Sequence, residues 1–126
     1  MNKNMMRLVK TLRSGKYKQT TSVPRNKDDH FCFLGVVFEL YRETHPEARW
    51  VIVDEAYSFE VDGMLFDAAL PPSVAKWLGV EEADPLLDIR SEDGTKYSAE
   101  ATECNDSLGL SFKQLANALE RTYGSR

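Results

Sequence analysis

The sequence predicts a small α+β domain in which helices dominate and a minor antiparallel sheet or hairpin accompanies them. Three observations lead to this fold class. Apolar residues recur at helical spacing in segments 4–14 and 112–123, and a dense apolar run fills residues 31–41. The turn dipeptide Asp62-Gly63 separates two strand-like segments. Strands and helices do not alternate regularly along the chain, which argues against a parallel sheet.

The first helix is predicted over residues 4–14. Its apolar stripe consists of Met5, Leu8, Val9 and Leu12, and Gly15 is suitably placed to end it. Residues 16–23 show no periodic apolar pattern. We expect them to form an extended arm or a short edge strand, which Pro24 ends.

The most apolar segment is predicted to be a central helix from Asp28 or Asp29 to Thr44, with a buried strand over residues 31–38 as the alternative. The two aspartates are N-cap candidates and place negative charge at the positive end of the helix. Gly35 costs about 1 kcal/mol relative to alanine in a helix. That cost indicates either a close approach of another backbone or a locally broken helix.

Short elements are predicted for the second half of the chain. Residues 51–53 and 57–61 have the composition of strands, and a hairpin is expected across Asp62-Gly63. The remaining elements are a short helix over 71–79 with Val74, Trp77 and Leu78 on its buried side, a strand over 86–89 with a return near Tyr97, a loop over 102–109, and a helix over 112–123 capped by Ser111.

Length and charge place these elements in one domain with an uneven charge distribution. A chain of 126 residues is expected to form a single domain over 1–126. Residues 1–27, the basic helix and arm, carry eight basic side chains and no acidic one, for a formal charge of +8. Residues 28–126, the acidic globular body, carry the other eight basic and all 20 acidic side chains, for −12. Such asymmetry indicates either a site for an anionic ligand or an arm that packs against its own acidic body.

The expected location is the cytoplasm. No apolar run approaches the length of a membrane span, and no apolar core follows the positive start of the chain, so we expect neither a membrane segment nor a signal peptide. Cys32 and Cys104 are expected to be free thiols, with a disulfide between them only in an exported protein.

Several chemistries are disfavoured by the residue pattern, and we expect neither an enzyme nor a metal or cofactor. His30, Cys32, His45 and Cys104 lack the paired short spacings of a zinc site. Phosphate-loop, dinucleotide and nucleophile-elbow motifs are missing. Cys32 and His30 are two residues apart and would not face each other on a helix, so Cys32 is expected to be buried.

Several short stretches resemble a group of small, uncharacterised proteins encoded by tailed phages and prophages. They are Leu12-Arg-Ser-Gly-Lys-Tyr-Lys-Gln19, Phe31-Cys-x-Leu-Gly-Val36, Leu70-Pro-Pro-Ser-Val-x-x-Trp-Leu-Gly79, Asp84-Pro85, and Asn105-Asp-Ser followed by Ser111-Phe-Lys-Gln-Leu-Ala116. The resemblance implies a virus-encoded accessory protein of the host cytoplasm. Members of this group often carry further cysteines where this chain has Phe33 and Phe38, and their replacement argues against a cysteine metal cluster or a redox pair.

The candidate binding residues lie in and beside the basic arm. They are Arg13, Lys16, Tyr17, Lys18, Gln19, Arg25 and Lys27. The cations would hold phosphate groups or an acidic protein surface. Tyr17 would either stack on a base or tether the arm to the core.

The leading functional hypothesis is a phage-encoded, non-enzymatic binding protein. It would act in counter-defence by masking or sequestering a host nucleotide-type ligand or a host protein through the basic arm. The alternatives are a nucleic-acid-binding accessory protein, which the acidic body disfavours, and a structural or regulatory protein that forms a homo-oligomer.

Overall fold

A computed structural model describes residues 1–124 and confirms a small α+β fold with two antiparallel sheets. The helices are α1 (Lys3–Ser14), α2 (Phe33–Thr44), α3 (Pro72–Leu78), α4 (Ala101–Asp106) and α5 (Phe112–Tyr123). The strands are β1 (Arg25–Asn26), β2 (Arg49–Val53), β3 (Ala56–Val61), β4 (Met64–Phe66), β5 (Leu86–Arg90) and β6 (Lys96–Glu100). None of the helices in the described part is long and apolar enough to cross a membrane.

The core surrounds α2, and the side chains of Phe33, Val36, Val37 and Phe38 are completely inaccessible to solvent. Helices α1 and α5 pack against each other with their apolar stripes turned inward, as their periodicity predicts. The larger sheet has the order β1-β3-β2, with β4 also paired to β3, and covers the aromatic side of α2. Strands β5 and β6 form a separate hairpin beside α5.

Several predicted boundaries and turns are confirmed. Gly15 ends α1 in the left-handed region with φ of 77°. Ser111 starts α5 with a capping box, in which its hydroxyl accepts from the Gln114 amide and the Gln114 side chain accepts from the Ser111 amide. The hairpin predicted across Asp62-Gly63 joins β3 to β4.

The central helix begins at Phe33, so the prediction of a start at Asp28 or Asp29 is wrong, as is the alternative of a buried strand over 31–38. The two aspartates lie in a turn in which the Asn26 side chain accepts hydrogen bonds from the amides of Asp28 and His30. Asp29 has a positive φ of 58° there, which is incompatible with a helix. The first turn of α2 is instead capped by the side chain of a distant residue, Asn105.

The loop predicted over residues 102–109 is also wrong, because α4 covers Ala101–Asp106. The Asp84 carboxylate accepts hydrogen bonds from the amide and the hydroxyl of Thr102 and so caps this helix from another segment. Ala101 and Cys104 anchor it in the core. Trp77 of α3, expected to be buried, is only partly covered.

The glycine at position 35 permits a close backbone approach, which was one of its two predicted roles. A Cβ atom built on Gly35 would lie 1.8 Å from the carbonyl oxygen of Pro24. The helix is unbroken at this point. Residue 35 therefore determines how tightly the segment before β1 packs on α2.

Candidate functional site

The arm between α1 and β1 is anchored by the side chain of Gln19, whose three hydrogen bonds reach residues on the other side of the fold. Its Nε2 donates to the Asn105 side chain at 2.8 Å and to the Leu110 carbonyl at 2.9 Å. Its Oε1 accepts from the amide of Phe112 at 3.1 Å, at the start of α5. Gln19 is therefore used by the fold itself and is not available as a ligand-binding residue.

Asn105 is the second half of this anchor and is itself buried. Its Oδ1 also accepts from the amide of Phe33 at 3.2 Å, which caps the first turn of α2. Its Nδ2 donates to the Thr20 carbonyl at 3.0 Å and to the Asp106 carboxylate at 2.8 Å. Asp106 in turn accepts from the amide of Ser22 at 3.0 Å. The side chains of Gln19 and Asn105 thus join the arm to α2, α4 and α5.

Backbone hydrogen bonds align the arm with the segment that leads into α2. The Phe31 amide donates to the Lys18 carbonyl, and the Thr20 amide donates to the Phe31 carbonyl, both at 2.8 Å. Phe31 also bridges to Arg25 on its other side. The residues around Lys18, Phe31 and Arg25 consequently lie side by side, at the spacing of neighbouring strands.

An aromatic cluster lies under this part of the arm. Its members are Tyr17, Phe31, Trp50 and Tyr57, and successive ring centroids are 4.9, 6.1 and 6.2 Å apart with edge-to-face geometry. The Arg25 guanidinium lies 4.1 Å from the ring centroid of Tyr57 and within 6 Å of Phe31 and Trp50. Asp29 pairs with the same guanidinium at 2.7 Å.

A carboxylate, Glu39 of α2, lies beside the cluster. It accepts two hydrogen bonds from Arg42, at 2.6 and 3.1 Å, and one from the Trp50 indole at 3.2 Å. Burial alone would raise the pKa of Glu39, but these hydrogen bonds and the nearby Arg42 and Arg25 outweigh it and hold the pKa below its usual value. Glu39 is thus ionised at neutral pH.

Tyr17 is the aromatic residue of the arm itself, and it is partly buried against Phe31. Burial is the main reason that its pKa is raised, while the adjacent Lys16 acts in the opposite direction. The Lys16 ammonium lies 5.3 Å from the centre of the Tyr17 ring. The ring contacts Phe31, as the predicted tether would.

The seven predicted binding residues do not form one surface. Arg13 pairs with Glu120 at 2.8 Å and with Asn117 at 2.9 Å, so it belongs to the α1–α5 contact. Gln19 is partly buried and hydrogen-bonded to Asn105 and Leu110, and Arg25 is paired with Asp29 and the aromatic rings. Lys16, Lys18 and Lys27 are exposed, and within residues 1–124 they have no acidic partner. Together with Tyr17 and Arg25, these three lysines are here called the arm surface.

Trp50, Tyr57, Glu39 and Asn105 were not predicted as part of this region. A signal was present for Tyr57, which lies in the strand-like segment 57–61, and for Trp50, which directly precedes the segment 51–53, because alternate residues of paired strands share a face. Glu39 and Asn105 carried no such signal. Asn105 fell in a segment predicted to be a loop, and its role depends on partners 72 to 86 residues away.

The two cysteines are free and buried. Burial raises the pKa of both Cys32 and Cys104 to about 11, so both are protonated thiols at neutral pH. Among residues 1–124, no group of three or more His, Cys, Asp or Glu side chains is arranged to hold a metal ion.

Comparison with curated proteins found no match, and comparison with solved structures found none either. A family model described as "Domain of unknown function (DUF8296)" matches residues 1–123, which is nearly the entire chain. The protein therefore belongs to the DUF8296 family.

Proposed function

We propose that this chain is a non-enzymatic binding protein that captures an anionic, nucleotide-type ligand on the arm surface. Lys16, Lys18 and Lys27 are exposed and form no ion pair with an acidic side chain of residues 1–124, although the chain has a net charge of −4. Exposed ammonium groups of this kind suit phosphate oxygens. The partly exposed ring of Tyr17 offers an aromatic surface beside them.

The observation that carries the proposal is the anchoring of the arm by hydrogen bonds to distant parts of the fold. Gln19 and Asn105 hold it by side-chain hydrogen bonds, and Phe31 holds it by backbone hydrogen bonds. A surface that is already ordered loses less conformational entropy when it binds a ligand. Lys16 and Lys18 therefore lie on or beside a segment that the fold holds in place.

The charge distribution also supports a dedicated surface. Three basic residues of segment 1–27 pair with acids of the body, namely Arg7 with Glu43, Arg13 with Glu120 and Arg25 with Asp29. The three lysines of the arm surface are not among them. Internal neutralisation of the basic segment is thus partial, and the uncompensated charge includes the arm.

The biological setting of the proposal rests on the sequence resemblance to phage and prophage proteins. We propose that the protein is a phage-encoded accessory factor of the host cytoplasm that sequesters a host nucleotide signal in counter-defence. An acidic surface of a host protein is the alternative occupant, because it would present carboxylates to the same lysines.

A thermal-shift panel tests this function. It would compare mono-, di- and cyclic nucleotides and NAD-derived compounds with short single- and double-stranded oligonucleotides, at two salt concentrations. A ligand that binds only the folded state raises its stability by mass action, by about 2.7 kcal/mol at a concentration 100 times the Kd. We expect one small-nucleotide class to raise the Tm.

A charge-matched pair of triple variants locates the site. Lys16→Gln/Lys18→Gln/Lys27→Gln should abolish the ligand-induced shift. The control is Lys76→Gln/Lys96→Gln/Lys113→Gln, which removes the same charge from exposed positions on α3, β6 and α5. This control variant should retain the ligand-induced shift. If both variants lose the ligand-induced shift equally, or if the first variant keeps it, the assignment of the site to the arm surface is contradicted. Stabilisation by every oligonucleotide that declines steeply with salt would favour nucleic-acid binding instead.

A further inference from the structure

One edge of the larger sheet is open along a complete strand. Strand β2 pairs with β3 over all five of its residues, and no other strand of the described chain pairs with it. The opposite side of β3 is covered by β1 near one end and β4 near the other. Open edges of this kind are sites at which another strand can add to a sheet.

The turn between β2 and β3 determines which backbone groups point outward. It contains two residues, Asp54 and Glu55, with φ values of 50° and 66°, and it brings Val53 opposite Ala56. In a hairpin of this type the closing pair is hydrogen-bonded, and bonded and non-bonded pairs alternate from there. The amides and carbonyls of Trp50 and Ile52 therefore face away from β3.

Apart from Arg49 at the start of the strand, the side chains at this edge lack the features that protect an edge strand. Ile52 is 68% exposed and Val53 is 40% exposed. The strand Arg49-Trp-Val-Ile-Val53 contains no proline, no lysine and no bulge. Natural edge strands are usually interrupted by such residues or are very short.

We propose that β2 is a dimer interface, in which it pairs in antiparallel orientation with β2 of a second copy of this chain about a two-fold axis at Val51. In this register Trp50 lies opposite Ile52 of the second copy, and the outward backbone groups of both residues meet in four hydrogen bonds. Val51 lies opposite its own equivalent. The two four-stranded sheets become one sheet of eight strands.

Charge complementarity favours a second copy over an unrelated strand. Arg49 lies opposite Val53 of the second copy, next to the acidic turn formed by that copy's Asp54 and Glu55. The Arg49 side chain is 68% exposed and pairs with Glu60 of its own chain. Its guanidinium can therefore reach the turn of the second copy at both ends of the interface. The pairing is isologous, so it closes at the dimer.

Site-specific disulfide formation tests the register. Non-hydrogen-bonded antiparallel pairs have Cα atoms about 4.5 Å apart, within the range that a disulfide spans. Val51→Cys should therefore form a symmetric intermolecular disulfide under mild oxidation. Val53→Cys is the matched control, because its two copies would lie about 13 Å apart in this register and should not react. The native cysteines are buried and do not compete.

Sedimentation equilibrium tests the dimer itself. We expect a monomer–dimer equilibrium for the full chain and a monomer for Ile52→Lys, which places a charge on the exposed edge. Met64→Lys adds the same charge at a 63% exposed site on β4, away from this edge, and should still dimerise. Amide hydrogen exchange of Trp50 and Ile52 should slow as protein concentration rises.

Three outcomes would overturn the proposal. They are a wild-type chain that stays monomeric to several hundred micromolar, a dimer that survives Ile52→Lys, and cross-linking of Val53→Cys but not of Val51→Cys. If the chain is a monomer and the amides of Trp50 and Ile52 exchange freely, a strand from another protein becomes the alternative occupant of the open edge. The interface does not involve the lysines of the arm surface, so either proposal can fail without the other.

Discussion

Gln19 and Asn105 are 86 residues apart in the chain, yet their side-chain amides are joined by a 2.8 Å hydrogen bond. Gln19 also accepts from the first amide of α5, and Asn105 accepts from the first amide of α2. Helix N-termini have amides without intrahelical partners, and here the two side chains satisfy one amide of each helix. The arm that carries Lys16, Tyr17 and Lys18 is held by this pair.

Replacing Asn105 with alanine should strongly destabilise the fold. The substitution leaves the buried amide of Phe33 and the carbonyl of Thr20 without their present partners, and each unsatisfied group costs about 1–3 kcal/mol. We expect the free energy of unfolding to fall by about 2–4 kcal/mol in chemical denaturation. The control Asn117→Ala removes an exposed side chain that accepts a hydrogen bond from Arg13 and should cost less than about 1 kcal/mol. Similar losses in the two variants would contradict the role of Asn105.

Replacing Gly35 with alanine should destabilise the protein, although helix propensity alone predicts the opposite sign. Propensity favours alanine by about 1 kcal/mol in a helix interior. The new methyl group would meet the Pro24 carbonyl at 1.8 Å, so the segment before β1 must move. We expect a net loss of about 1–3 kcal/mol in the free energy of unfolding. A variant that is more stable than the wild type would show that this contact is not maintained.

The buried thiols should make the protein less stable in alkaline solution. The pKa of each thiol is raised from 9.0 to about 11, so the unfolded chain loses these protons at lower pH than the folded chain does. The thiols' contribution to the free energy of unfolding is complete below pH 9. It is lost as pH rises toward 11, at up to about 1.4 kcal/mol per pH unit for each thiol. Denaturation of the wild type and of Cys32→Ala/Cys104→Ala between pH 8 and 11 measures it. We expect the free energy of unfolding to fall less steeply with pH in the double variant than in the wild type. Equal slopes would contradict the prediction.

Glu39 should contribute stability that disappears in acid. Its pKa is held below the usual value, so the folded chain retains the carboxylate at pH values where the unfolded chain has taken up a proton. The contribution is present above the ordinary glutamate pKa and is lost as pH falls through the lowered one. Unfolding measured from pH 6 to pH 3 should show a weaker pH dependence in Glu39→Gln than in the wild type. The exposed control Glu92→Gln should retain the wild-type dependence.

Helix α5 and the β3–β4 hairpin were predictable because their signals are local. A capping serine, a glutamine three residues later and an apolar stripe define α5 within one short segment. Asp62-Gly63 similarly specifies its turn without help from distant residues. The start of α2 and the existence of α4 were missed because Asn105 and Asp84 supply their caps from other parts of the chain.

The candidate site was only partly predictable for the same reason. The basic character of residues 1–27 is a property of composition, and it is the reason that the arm was predicted as the binding region. Whether a given cation is free depends on which acid lies nearby in space. Arg13 and Arg25 are paired, whereas Lys16, Lys18 and Lys27 are exposed, and all five have equivalent sequence signals.

The sequence by itself determined the fold class, the amphipathic helices α1 and α5, and the presence of a charged arm, because these depend on residue spacing and type. The tertiary structure alone decided that Gln19 anchors the arm, that Arg25 contacts aromatic rings, and that β2 has an open edge. Each of these depends on contacts between residues far apart in the chain. Such contacts form only when the core has brought the segments together, and no local pattern records them.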